Sequence, residues 1–149
     1  MNSEFTVAVH SLALLAYLPD RMASSEYIAR NVSTNPTRIR KVMSALREKG
    51  FVKTKEGIGG GYMLNCDPTK LTLADIYRTM SEGTLKPHWC SGNPEEECVI
   101  SANMQHVMDQ YFTEAEQHYV AYLEKSTLST VIDRLKLCQQ QHEGERNVE

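Results

Sequence analysis

The chain has 149 residues, 41% hydrophobic and 23% charged, with a net charge of −3. This is the length of one domain with enough apolar content for a core, which excludes global disorder; 8 Gly and 5 Pro exclude collagen-like and low-complexity classes. No apolar run approaches the roughly 18 residues of a membrane span, and Phe5–Leu18 has no basic segment ahead of it, so the expectation is a cytoplasmic protein with no membrane partner and no signal peptide.

Phe5, Val7, Ala8, Leu12, Leu15, Ala16 and Leu18 recur at helical spacing before Pro19-Asp20 ends the run. Ser24 or Ser25 can cap a short second helix with Glu26 in its first turn and Ile28, Ala29 and Val32 inward. Asn35 suits an N-cap and Pro36 a first helical position, so a third helix is expected to run to about Lys49 and end at Gly50. Ile39, Val42, Met43 and Leu46 form its inner stripe. Thr37, Lys41, Ser44 and Glu48 point away from it, with Arg38 and Arg40 flanking that outer face. Phe51–Lys55 alternates like a half-buried strand, and Tyr62–Leu64 reads as its partner across a tip with four glycines in five residues, Gly57 to Gly61.

Two short helices, a capped third helix and a basic hairpin make a winged helix-turn-helix, in which the third helix enters a DNA major groove and the hairpin lies over the backbone or minor groove. Charge agrees. Residues 1–86 hold 12 Lys and Arg against 8 Asp and Glu, a net +4, and residues 87–149 hold 4 against 11, a net −7. Within 38–55 lie Arg38, Arg40, Lys41, Arg47, Lys49, Lys53 and Lys55 against Glu48 alone.

Leu71–Tyr77 starts a further helix, with Thr72 a possible cap, ending near Gly83. Residues 83–98 read as a loop broken by Pro87, Gly92 and Pro94; it carries Cys90, Cys98 and the acidic Glu95–Glu97. From Val99 to Lys125 one long helix is expected, with Ile100, Met104, Met108, Tyr111, Ala115, Tyr119 and Tyr122 along a heptad-like seam and Val107, Phe112, Val120 and Leu123 in a second row. One row can pack on the parent domain and the other on a partner. A homodimer through residues 99–125 is the economical reading, because paired DNA half-sites mirror protein two-fold symmetry. Leu128, Val131, Ile132, Leu135 and Leu137 mark a final helix, and the polar residues 139–149 are expected to fray. The fold class is thus mainly α: a winged helix-turn-helix domain with a small β-hairpin wing plus a long dimerisation helix. Its parts are 1–82 for DNA binding, 83–98 for the cysteine loop, 99–138 for dimerisation and 139–149 as a flexible tail.

The stretch Ser24–Leu64, with Gly59-Gly60-Gly61-Tyr62-Met63-Leu64 in the wing, resembles the bacterial Rrf-type winged-helix regulators, the family of an iron–sulfur assembly regulator, a nitric-oxide-sensing repressor and a cysteine-metabolism repressor. The resemblance extends over nearly the whole chain. It implies a homodimeric regulator that binds double-stranded DNA from Asn35, Pro36, Thr37, Arg38, Arg40 and Lys41 and from the wing, Glu56 to Tyr62; the leading reading of its function is a repressor. Ser24, Ser25, Lys53, Lys55, Gly59, Gly60, Gly61 and Tyr62 complete the candidate DNA-binding set. Arg40 stands where the iron–sulfur regulator has a base-discriminating glutamate, and Glu56 where it has a wing arginine, so a different operator is implied.

The resemblance also aligns Cys98 with the last, and Cys90 with the first, of three cluster-binding cysteines; the middle one is absent and Ser101 replaces the histidine that follows. Two thiolates do not hold a cluster that takes four protein ligands, so no cofactor and no metal site is assigned; His88 and His106 as substitutes, or a cluster bridging two subunits, are the disfavoured alternatives. The chemistry left to Cys90 and Cys98 is redox switching, through a sulfenic acid or a disulfide within or between subunits. Glu95–Glu97 should raise the Cys98 thiol pKa and slow it, whereas a protonated His88 beside Cys90 acts the other way. Cys66 and Cys138 read as packing residues, His10 as a packed or half-exposed histidine, and Trp89 as a cover for the dimer helix. The competing functions are a small-molecule-sensing regulator of the same fold, a winged helix used for protein contacts alone, and a thiol enzyme, for which no motif is found.

Overall fold

The computed structural model describes residues 2–148. In chain order the elements are α1 (Glu4–Tyr17), β1 (Met22–Ala23), α2 (Ser25–Val32), α3 (Pro36–Glu48), β2 (Val52–Lys55), β3 (Gly61–Leu64), α4 (Leu73–Met80), α5 (Val99–Leu123) and α6 (Leu128–Arg146). The strands form one antiparallel sheet in the order β1-β3-β2. The architecture is the mainly α, winged helix-turn-helix fold with a long C-terminal helix that the sequence predicts.

Capping chemistry sets the helix starts. Ser24 Oγ accepts from the Tyr27 N–H, Asn35 Oδ1 from the Arg38 N–H, and Thr72 exchanges bonds with Asp75 in a full capping box. Ser33, at φ 64, closes α2 in the left-handed conformation. Thr34 N–H then bonds the Ala29 carbonyl, so Ser33–Asn35 is the whole turn between α2 and α3.

The core is one cluster around α1. Val7, Ala8, Leu12, Ala13 and Leu15 meet Ile28 and Ala29 of α2, Ile39, Val42, Met43 and Leu46 of α3, Val52, Leu64, Leu71, Ile76 and Leu128. Leu128 starts α6, so the last helix is packed into the same body as the helix-turn-helix. A second, smaller cluster of Ala74, Tyr77 and Leu123 joins α4 to the C-terminal end of α5. Tyr77 is fully buried, edge-on to Phe5 and Tyr119 at 5.6 and 5.0 Å between ring centres. Its hydroxyl donates to Glu116 Oε1 at 2.8 Å.

Four details depart from the sequence reading. Strand β1 was not foreseen; two residues carry no alternation, and only pairing with β3 defines it. The alternation at Phe51–Lys55 stops at Val52, because β2 is an edge strand and Lys53, Thr54 and Lys55 all face solvent. Helix α6 continues to Arg146 through the stretch expected to fray, with a Gln139–Glu143 side-chain bond spanning one turn of it. Cys138, read as a packing residue, is exposed on α6, just before that stretch.

Burial and then the Glu116 bond push the Tyr77 phenol from 10.0 up to about 12. A raised folded-state pKa contributes stability that is complete below the unfolded value and is lost as pH rises through the folded one. Tyr77→Phe should therefore unfold more easily at neutral pH, by about 1–2 kcal/mol. It should also lack the part of the alkaline stability loss that wild type shows between pH 10 and about 12. Urea titrations across that range check both.

Candidate nucleic-acid interface and cysteine loop

On α3 the outer face is as the spacing predicts: Thr37, Arg40, Lys41 and Ser44 are exposed, while Ile39, Val42, Met43 and Leu46 are buried. The two flanking arginines differ. Arg38 is half-buried and turned back on α1, where its Nε donates to Glu4 Oε1 at 3.2 Å and its Nη2 donates to Ser3 Oγ. Arg40 stays on the outer face, with Nη1 donating to Ser25 Oγ at 3.2 Å and lying 3.7 Å from Glu26 Oε1. Ser24 is occupied in capping α2, and Asn35 and Pro36 form the entry of α3. Lys41 enters no salt bridge among the described residues. The Ser3–Glu4 anchor of Arg38 and the Ser25–Glu26 contacts of Arg40 were not visible in the sequence. They link residues far apart in the chain with no periodic signature.

The wing places Lys53 and Lys55 on the exposed β2, opposite Met63 and Gly61 of β3. Its tip is a tight turn closed by the Gly60 N–H on the Gly57 carbonyl at 3.1 Å. The glycines at its base are required by proximity. A Cβ on Gly60 would lie 2.2 Å from the Lys55 carbonyl oxygen, and one on Gly61 2.4 Å from that of Ala23. Tyr62 is half-buried on the inner strand, and Ile58 stands fully exposed at the tip.

The second candidate site is the loop between α4 and α5. Its Asn93 N–H donates to the Ser101 carbonyl at 3.1 Å and to Ser101 Oγ at 3.0 Å, so the loop is seated on the first turn of α5. Cys98 is exposed and is the N-cap residue of α5. The backbone N–H groups of Ser101 and Ile100 hold its thiol pKa below the ordinary value. This reverses the expectation from Glu95–Glu97: three exposed carboxylates are screened by water, whereas the unpaired N–H groups at the start of α5 favour the charged form of the thiol. Cys90 is half-buried, within electrostatic range of the Lys86 ammonium, which is bonded to Asp109 at 2.8 Å. Burial, then Asp67, pushes the half-buried Cys66 thiol up. Trp89, at 77% exposure, does not cover α5 within the chain, and His10 is an exposed residue bonded to Asn31 at 2.8 Å.

Among the described residues no three His, Cys, Asp or Glu side chains gather in a way that could hold a metal ion. The donors of one chain, Cys90 and Cys98 included, therefore do not fit an iron–sulfur cluster. No described helix is long and apolar enough to cross a membrane.

Known proteins match this arrangement closely. The family described as Rrf2, iron-dependent transcriptional regulator, matches residues 1–134. The chain is 29% identical to a candidate HTH-type transcriptional regulator of Bacillus subtilis, YwnA, over 137 residues, which is 91% of this chain and 98% of that protein. It is 30% identical to the B. subtilis HTH-type transcriptional regulator NsrR over 129 residues, 83% of this chain and 85% of that one. Among solved structures, a candidate transcriptional regulator from Lactobacillus plantarum superposes with a TM-score of 0.82 at 27% identity over 100% of both chains.

The geometry orders the thiols. Cys98 should be alkylated by iodoacetamide faster than Cys66 at neutral pH, and its rate should reach half-maximum at a lower pH. Mass spectrometry of quenched time points reads both.

Proposed function

Given that the chain belongs to the Rrf2 family of winged-helix, DNA-binding transcriptional regulators, we propose that it is a homodimeric repressor that reads its operator with α3 and the wing and is switched by oxidation of Cys90 and Cys98. The observation that carries the DNA reading is the outer face of α3, where Thr37, Arg40, Lys41 and Ser44 are exposed beside the Lys53–Lys55 edge of the wing. In this reading Arg40 contacts guanine, and Lys41, Lys53 and Lys55 contact phosphates. Asn35, Pro36 and Thr37 bring the first turn of α3 against the groove. Gly59, Gly60, Gly61 and Tyr62 shape the wing, Ser24 and Ser25 set the start of α2, and Arg38 acts chiefly through its anchor on α1.

The exposed apolar face of α5 supports the homodimer. Val99, Ile100, Val107, Met108, Tyr111 and Tyr122 are all exposed, whereas Tyr119, Val120 and Leu123 pack against α4. At about 1.5 Å per residue α5 is a rod of roughly 37 Å, long enough to set the separation of two reading heads. The working division is then residues 1–82 for DNA, 83–98 for sensing and 99–138 for dimerisation, with 139–149 outside these roles.

The exposed thiol of Cys98, favoured as thiolate by the α5 N–H groups, supports the switch. The thiolate attacks a peroxide O–O bond, giving a sulfenic acid and, with a proton, water. A second thiol, Cys90 or a partner's Cys98, then displaces hydroxide from that sulfur to form a disulfide, and a proton carries the hydroxide off as water. A covalent tie at the start of α5 pulls on the loop that joins the two halves. A second reading has one observation in its favour: an apolar cleft of about 770 Å³ between α1, α2 and α6, lined by Val9, Leu14, Tyr27, Val131 and Leu135, is large enough for a small effector.

Binding should fall steeply with salt. Arg40→Ala should lose roughly 1–3 kcal/mol of discrimination at one base pair. Lys53→Ala should weaken all sequences alike and lower the salt slope by about 1. Peroxide should release DNA reversibly from wild type and leave Cys98→Ser bound. Titration of duplex from the chain's own upstream region, with reduced and oxidised protein at fixed salt, decides it. Equal binding by both forms rejects the thiol switch and leaves the effector cleft.

A further inference from the structure

Glu26 is a carboxylate on the face offered to DNA. It lies in the first turn of α2, exposed, one residue after Ser25. Phosphates repel it, so its presence there lowers affinity for any duplex unless it does something that binding needs. Helix-dipole compensation alone would be served equally well by an acid facing away from α3.

Its side chain is instead part of a closed three-residue contact with the recognition helix. The Ser25 hydroxyl donates to Glu26 Oε2 at 3.2 Å and accepts from Arg40 Nη1 at 3.2 Å, while Glu26 Oε1 lies 3.7 Å from the same Nη1. Arg40 therefore reaches back across the turn to α2 by one end of its guanidinium only. Its Nε and Nη2 make no hydrogen bond to any described residue. Those two atoms form one edge of the planar fork, the two-donor arrangement that matches O6 and N7 of guanine. Glu26 itself stays ionised through the range in which DNA binds, since its pKa is lowered by its backbone bond, by Ser25 and by the charges of Arg40 and Arg30.

We propose that Glu26 is a positioning residue for base recognition: with Ser25 it holds Nη1 of Arg40 so that the Nε–Nη2 edge faces a base and the guanidinium does not swing to a phosphate. This rests on the reading of Arg40 as a guanine contact and adds what makes that contact selective. A free arginine at this position would be a general phosphate binder, gaining affinity on every sequence. A tethered one loses that gain on random DNA and keeps the bidentate contact where guanine is present, with less side-chain freedom left to lose.

The test uses the full-length protein and the tightest duplex that wild type selects from a randomised pool. The quantity read is the ratio of Kd values between each single G·C to A·T replacement and the selected duplex, at fixed salt, together with Kd for a random-sequence duplex. Arg40→Ala identifies the base pair by collapsing one ratio. Glu26→Gln is expected to lower that same ratio by about fivefold or more, the lower end of what a bidentate contact supplies, while binding random DNA as tightly as wild type or more tightly. The double variant Glu26→Gln/Arg40→Ala is expected to match Arg40→Ala. A ratio that collapses in Arg40→Ala and survives in Glu26→Gln overturns the positioning role alone. A loss of affinity for all duplexes by Glu26→Gln, with a lowered thermal midpoint, overturns it as well and makes Glu26 a structural residue. If Arg40→Ala leaves every ratio intact, the reading of Arg40 and the role of Glu26 fall together.

Discussion

The first turn of α1 fixes both working parts of this molecule. Glu4 takes the Nε of Arg38 and Ser3 its Nη2, which sets the start of the recognition helix against α1. One residue on, Phe5 stands edge-on to Tyr77, and Tyr77 holds Tyr119 by its ring and Glu116 by its hydroxyl, both on α5. Glu116 also accepts the Gly83 N–H at 2.5 Å, which ties down the start of the cysteine loop. Below that turn Ala8, Leu12 and Leu15 are fully buried, and α2, α3, α4, α6 and β3 all pack on the helix. The reading head and the long helix are thus connected by a contiguous set of packed side chains running through Ser3–Phe5. These contacts are the physical connection that a signal passing from α5 to α3 would have to use.

Local charge density and DNA contact are different things on this surface. Of seven basic residues within 38–55, Arg38 is spent on the α1 anchor and Arg40 is restrained by α2. Lys41, Arg47, Lys49, Lys53 and Lys55 remain as exposed cations with no carboxylate partner among the described residues, and of these Lys41 lies on the outer face of α3 and Lys53 and Lys55 on the wing. Mobile lysines suit phosphates, which need only a point charge. A restrained arginine suits a base edge, which needs a fork held in one direction.

Local signals made most of the fold legible in the sequence. Asn35, Thr72 and the first of the alternatives Ser24 or Ser25 are caps whose hydrogen bonds the structure contains, and Asp75 completes a capping box that the sequence reading does not name. The 3.6-residue stripe of α3 is buried as its spacing requires, and in the glycine run of the wing Gly60 and Gly61 are explained by the close approach of Lys55 and Ala23, Gly57 and Gly59 by their positive φ. The features that stayed hidden are long-range or electrostatic. Strand β1 exists only through β3. The Glu4–Arg38 pair joins residues that share no pattern. The thiol of Cys98 obeys the N–H groups of a helix start more than the acidic residues beside it in sequence. Linear neighbours told the wrong sign there because hydrogen bonding at a helix terminus depends on where the helix begins, and that is set by folding.

The exposed half of α5 and the loop seated on Ser101 give the rest of the chain its place: a rod that spaces two heads, with the exposed Cys98 at its start. All of this presupposes that α3 and the wing are the surface that meets DNA. Lysine acetylation of the reduced protein, free and bound to its selected duplex, measures that directly by mass spectrometry. Lys41, Lys53 and Lys55 should lose reactivity on DNA, while Lys125, in the turn between α5 and α6, and Lys136, on α6, keep theirs. Protection at Lys125 and Lys136 with Lys41, Lys53 and Lys55 still reactive would place the DNA elsewhere and contradict the assignment.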